Sequence, residues 1–321
     1  MGAPGGPRDG PDSRIPGRLN VVLAVAAATL ALGLLWFASH VGSWPWLIAA
    51  ALVFSYVNNT IFSLLHEAVH GHFHARRAVN EWSGRLLAAF FPTGLTFQRI
   101  CHLGHHRRNR TSAELFDYLR PDDNRLLKYL QWYGVLTGVY WLASPLGCLL
   151  YFCCPWLLGL RMFQPASQFG RQTSTAAMLS GFEGAPGAKI RLEIALGFSL
   201  QAAAFWLLDL SLAGWLVCYA AFAVNWSSLQ YADHAWSALD VHEGAWNLEV
   251  NPLVQALFLN YHHHKAHHQN PQVPWLHLPE YVDFSAPRPS FLRIYLSMWR
   301  GPRRYPAGGG GEDERRDSAA A

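Results

Sequence analysis

Histidines crowd three short stretches of this chain. They read His66-Glu-Ala-Val-His70-Gly-His72-Phe-His74, His102-Leu-Gly-His105-His106, and His262-His263-His264-Lys-Ala-His267-His268. In a helix, residues three and four apart share a face. His66 with His70, His102 with His105 and His106, and His264 with His267 and His268 can therefore each reach toward a metal. Within a His-x-x-His-His run, the adjacent pair can serve two different metals. Imidazole suits iron, zinc, copper and nickel. The chain carries 16 histidines, and ordinary core or surface histidines do not repeat one spacing in three places.

Three kinds of chemistry compete for this pattern. His66-Glu67-Ala-Val-His70 fits the His-Glu-x-x-His motif of zinc hydrolases, in which Glu67 would be the general base. A zinc site needs only three protein ligands and a water, which leaves five of the six spaced histidines of the other runs unused. A metal-transport or storage protein would instead line a continuous polar path with ligands. Eight or nine nitrogen ligands suit two metals with positions left open for oxygen. Of the five cysteines, Cys101, Cys148, Cys153, Cys154 and Cys218, four lie in apolar stretches without a spaced framework, so no disulfide is expected. Cys101, beside the second run, reads as a small buried apolar residue rather than a soft ligand.

The elements that must position these histidines are membrane helices. Half the chain is hydrophobic and only 14% is charged, against about 25% in soluble domains. The net charge of +4 is small, and Arg76, Arg77, Arg107, Arg108 and Arg110 flank apolar segments, as at a cytoplasmic membrane face rather than a nucleic-acid surface. Leu19 to Ser39 carries no charge and meets the roughly 20 residues needed to cross a bilayer core of about 30 Å. Trp44 to Leu65 follows after a short turn, so the two form a hairpin that returns the chain to the cytoplasmic side at His66. Leu86 to Phe97 is too short to span and is broken by Pro92 and Gly94, which suggests an interfacial or re-entrant segment. The region 130–160 is apolar but interrupted by Pro145 and Pro155. Ile194 to Trp226 is broken by Asp209, whose charge is costly in hydrocarbon and marks a turn between two helices. Placing all three histidine runs on one side requires an even number of crossings between them, so 130–160 must enter and leave one face or form a tight hairpin.

The order His-x-x-x-His, His-x-x-His-His, His-x-x-His-His among paired apolar helices resembles the membrane-bound fatty acid desaturase and hydroxylase superfamily. The stretch His267-His268-Gln-Asn-Pro271-Gln-Val273-Pro274-Trp275, ending in Leu278-Pro279, is similar to the segment just after that family's third histidine box. The resemblance covers roughly residues 45–280. It implies an all-α integral membrane domain of about four to six transmembrane or re-entrant helices over 19–300, with a cytoplasmic-face histidine-rich helical cap. The tails 1–18 and 301–321 read as disordered.

The resemblance also implies two iron ions and O2 as co-substrate. The implied ligands are His66, His70, His102, His105, His106, His264, His267 and His268, with His234 of Tyr231-Ala-Asp-His as a ninth. Tyr261-His262 resembles the opening of the third box in a shifted register, so His262 competes with His264. His72 and His74 are expected outside the ligand set. Outer ring nitrogens need partners that fix their orientation, and Glu67, Asp233, Asp240 and Glu249 are the candidates. The implied activity is desaturation of a fatty acyl chain in a lipid or thioester. Hydroxylation or ketolation of a lipid or carotenoid is the alternative within the same superfamily. No haem segment or Cys-x-x-Cys pair is visible, so the partners expected are a lipid or acyl substrate, the bilayer and a separate electron donor of cytochrome b5, ferredoxin or rubredoxin type.

Overall fold

The computed structural model describes residues 14–306. The tails expected from composition lie outside the described residues at 1–13 and 307–321. Where the described part overlaps them, it is structured. Helix α1, Gly17–His40, starts two residues before the apolar run. Residues 303–304 form a short strand, β2 (Arg303–Arg304), parallel to β1 (Tyr118–Leu119).

The chain is otherwise helical. After α1 come α2 (Trp44–His70), α3 (Arg77–Ala89), α4 (Leu95–Arg108), α5 (Arg125–Leu136) and α6 (Val139–Cys153). Two short helices, α7 (Gln168–Gln172) and α8 (Thr175–Ser180), precede the long α9 (Gly187–Leu207) and α10 (Leu212–Ala232). The last part carries α11 (Pro252–Leu257), α12 (His264–Gln269) and α13 (Phe291–Met298). Among the described residues, α1, α2, α9 and α10 are each long and apolar enough to cross a membrane. Asp209 sits in the turn between α9 and α10, with φ 48° and its side chain in the open, as its charge requires. The 130–160 region is a pair, α5 and α6, bent by 97° across a two-residue break. Gly138 lies in that break at φ 83°, and a Cβ there would meet Val224 N at 2.7 Å, so only glycine lets the bend press against α10.

Helix α2 is the centre of the bundle and packs on α1, α3 and α10. Its core side carries Phe54, Ile61, Leu64 and Leu65, and Phe62 and Phe91 meet Trp226 edge-on beside it. Its buried polar residues are fastened to the cap: Thr60 Oγ1 donates to Leu257 O at 2.6 Å and Ser63 Oγ to Phe258 O at 3.0 Å. These bonds remove the cost of burying hydroxyls and set the cap's height against the helix.

Candidate metal centre

The first histidine run ends α2. Gly71 adopts φ 85° as its left-handed cap, and His72 N–H donates back to Glu67 O at 2.7 Å. The helix therefore presents His66 and His70 on one face and stops. His72 and His74 fall beyond the stop. His72 stacks on His70, and His74 Nδ1 accepts from Arg76 N–H. The last carbonyls of α2 are taken by Arg99, which donates to Ala68 O and Val69 O at 3.0 Å and to Glu81 at 2.7 Å. A cation there also complements the negative helix end.

Arg99 belongs to α4, which carries the second run. The break at Pro92 and Gly94 turns the chain so that α4 starts against α9. Glu193 of α9 accepts from Thr96 N–H at 2.6 Å in the first turn of α4 and from Arg85 at 2.9 Å. A carboxylate at a helix N-terminus satisfies an otherwise orphan donor. The third run forms α12, whose residues His264, His267 and His268 are all buried. His234 follows the end of α10.

The structure brings nine histidines into two groups. One comprises His66, His70, His102, His106 and His267; the other comprises His105, His234, His264 and His268. Within each group, one potential ligand atom per residue lies within 4.8 Å of all the others. The groups adjoin, with the rings of His106 and His268 only 4.4 Å apart. Of the two competing registers of the third run, His264 is inside a group, while His262 and His263 are buried but belong to neither.

The donor set fits metal ions. In the first group, Nε2 of His70 and His102 lie 2.9 Å apart, those of His102 and His106 3.0 Å, and those of His106 and His267 3.0 Å. Two ligands at right angles on a metal with bonds of about 2.1 Å stand roughly 3 Å apart, so these contacts have the size of polyhedron edges. His66 Nε2 and His268 Nε2 are buried without a hydrogen-bond partner, and a lone pair left so is costly unless something coordinates it. In the second group, His234 Nδ1 donates to Gly244 O at 2.9 Å, which leaves Nε2 as the free lone pair. Burial holds His102, His234, His264, His267 and His268 well below the usual imidazole range, and His106 down to about 2. Metal ligands must be neutral in this way.

Of the four carboxylates expected to orient these rings, two are at the site. Asp233 is fully buried, 3.5 Å from His264 Nδ1 and 3.7 Å from His234 Nε2, and burial pushes its carboxyl well above the usual range. Glu67 Oε1 lies 3.9 Å from His66 Nδ1, and its other oxygen accepts from Trp275 N–H at 3.2 Å. The other two are elsewhere. Asp240 Oδ1 accepts from the backbone of His242 and Glu243 in a turn, and Glu249 is exposed beside a separate cavity. Sequence reasoning missed Glu114, whose Oε2 lies 2.7 Å from His105 Nδ1 while Oε1 lies 3.1 Å from Arg108. It follows the second run by one short turn, and the need of His105 for an acceptor was the signal that could have found it.

A buried polar knot holds the two chains of ligands in register. Arg110 pairs with Asp117 at 2.9 Å, and both side chains are essentially inaccessible. The Tyr231 hydroxyl donates to Asp117 and accepts from the backbone N–H of Phe116 and Asp117. Trp236 N–H donates to the second Asp117 oxygen at 2.6 Å. The segment after His106 is thereby tied to the residues on both sides of His234.

Four membrane-length helices and two adjoining histidine groups able to hold metal define a helical integral membrane protein of the desaturase and hydroxylase type. The fatty acid desaturase family matches residues 42–300, and the chain belongs to it. No curated protein matches the sequence. The family makes the protein an oxidoreductase of that superfamily and agrees with metal dependence.

Proposed function

We propose that the protein is an O2-dependent di-iron enzyme that introduces a double bond into a fatty acyl chain of a lipid or thioester. The observation that carries this reading is the pair of side-by-side histidine groups, five and four strong. All-imidazole ligation of two close metals leaves the metals positively charged and open to oxygen. Bound irons would supply the activation of O2 and the removal of hydrogens from an unactivated alkyl segment.

The protein's own residues supply the rest. His66, His70, His102, His106 and His267 would hold one metal, and His105, His234, His264 and His268 the other. Glu114 and the Gly244 carbonyl hold ring orientations in the second group, and the buried Asp233 carboxyl lies beside it. Tyr261 stacks edge-on against His66 and tilts over His264, and it forms an apolar shield over both groups. A small enclosed space of about 10 Å³ beside His66, His264 and His267 has roughly the size of one water molecule.

In this reading the site faces the cytoplasm, and electrons come from a separate donor. The exposed Arg76, Arg77 and Arg107 around the first two histidine runs would attract an acidic carrier protein. The zinc-hydrolase reading is weaker, because Glu67 is held by Trp275 and His66 and His70 share their group with three further histidines.

Metal analysis of the purified protein tests the proposal. About two irons per chain are expected, and a single zinc without iron would overturn it. Lipid profiling of cells expressing the protein then reads the chemistry, with a new acyl double bond as the expected product.

A further inference from the structure

A cavity of about 390 Å³ opens between α2, α10, α11 and α13. It is of the size that holds small ligands. Tyr56 and Asn225 reach it from within the membrane-length helices α2 and α10, and Glu249, Asn251 and Ser290 reach it from the cap. Phe258 forms its inner wall. The next residue, Leu259, lines the small space beside the histidines. The partition between the two cavities is thus one turn of chain, and Leu259 and Asn260 hold that turn at φ 49° and 58°. Tyr56 stands ten positions before His66 on α2, about 15 Å along the helix axis.

The lining decides what can occupy this cavity. It contains no lysine, arginine or histidine, and its one charged residue is the Glu249 carboxylate. Ser290 precedes α13 without using its hydroxyl as a cap, and Asn251 uses only its oxygen, accepting from Val254 N–H. Hydrogen-bonding groups are therefore available, while a phosphate or carboxylate would meet a like charge with no cation in the lining to offset it. Such an anion is also costly beside residues of membrane-length helices. Leu292, in the lining, stands 59% accessible, as a residue facing lipid does.

We infer that this cavity seats the uncharged, hydroxyl- or amide-bearing head of a membrane lipid and rejects anionic heads. The inference rests on the reading of the protein as a lipid-modifying oxygenase, and it narrows the substrate class to lipids that enter sideways from the bilayer. Its test uses the full chain in detergent, with 1-oleoylglycerol and its 3-phosphate as probes and metal content measured on the same preparations. The neutral probe should bind at least about tenfold more tightly than the phosphate. Glu249→Arg should reverse that preference, and Ser290→Trp should abolish binding of both. Each variant should keep the metal content of the unaltered protein, because neither residue touches a histidine group. Equal binding of the two probes, or unchanged oleoylglycerol binding by Ser290→Trp, would overturn the assignment. Loss of the di-iron reading would show separately, as absent iron in the unaltered protein.

Discussion

Glu114 Oε2 lies 2.7 Å from Nδ1 of His105, the one member of the second histidine run that belongs to the second group. The carboxylate accepts from that nitrogen and turns Nε2 inward. Outer partners of this kind typically carry about 10–100-fold in metal affinity. Glu114→Ala should lower affinity in the second group by that order and leave the first intact. Glu114→Gln, which still offers an acceptor oxygen, should lose less. Metal titration of the stripped protein measures both, and equal loss from both groups would refute the division.

His264 is inside the second group and His262 is not, although both are buried. His264→Gln should reduce the metal content by about half. His262→Gln should leave it unchanged. The opposite outcome would place the third histidine box two residues earlier.

Burial holds His106 to about 2, His262 to about 3 and His263 to about 4. Unfolded histidines take up a proton near about 6.5. Between the folded values and 6.5 the unfolded chain binds more protons, so stability rises with pH across that window. The metal-free protein should be fully stable above about pH 6.5 and should weaken as the pH falls below it. Thermal unfolding in detergent reads this directly, and a midpoint that rose on acidification would contradict it.

Asp117→Ala would leave Arg110 buried and charged without its partner. Breaking such a pair from one side costs about 3–5 kcal/mol. The loss should appear as a lower unfolding temperature and easier proteolysis of the 110–118 segment. Tyr231→Phe, which removes a hydroxyl that four groups share, should cost less.

The histidine spacing made eight of the nine residues legible, because helical periodicity turns i, i+3 and i+4 into a shared face, while His234 came from the family resemblance alone. The paired helices around Asp209 were legible for a similarly local reason, the cost of a charge in hydrocarbon. The 97° bend between α5 and α6 was not. It depends on Gly138 fitting against the backbone of α10, a contact between residues far apart in sequence. The carboxylates divided likewise. Asp233 and Glu67 are neighbours of ligands in sequence and were found, while Asp240 and Glu249 had the right charge but sit elsewhere, Asp240 in a turn and Glu249 in a bridge to Ser290. Glu114 was missed because its role depends on how the chain folds back after α4.

Each His-x-x-His-His run is split between the two groups: His102 and His106 go to one and His105 to the other, while His264 and His268 go to the second and His267 to the first. Neither group therefore has its full set of histidines until the third run is in place. The 201 positions from His66 to His267 take on the order of 10–40 s to synthesise at about 5–20 residues per second. Through that interval the earliest ligands wait in an inserted but incomplete chain. A metal held by the full set of either group would therefore be bound only once the third run has been made.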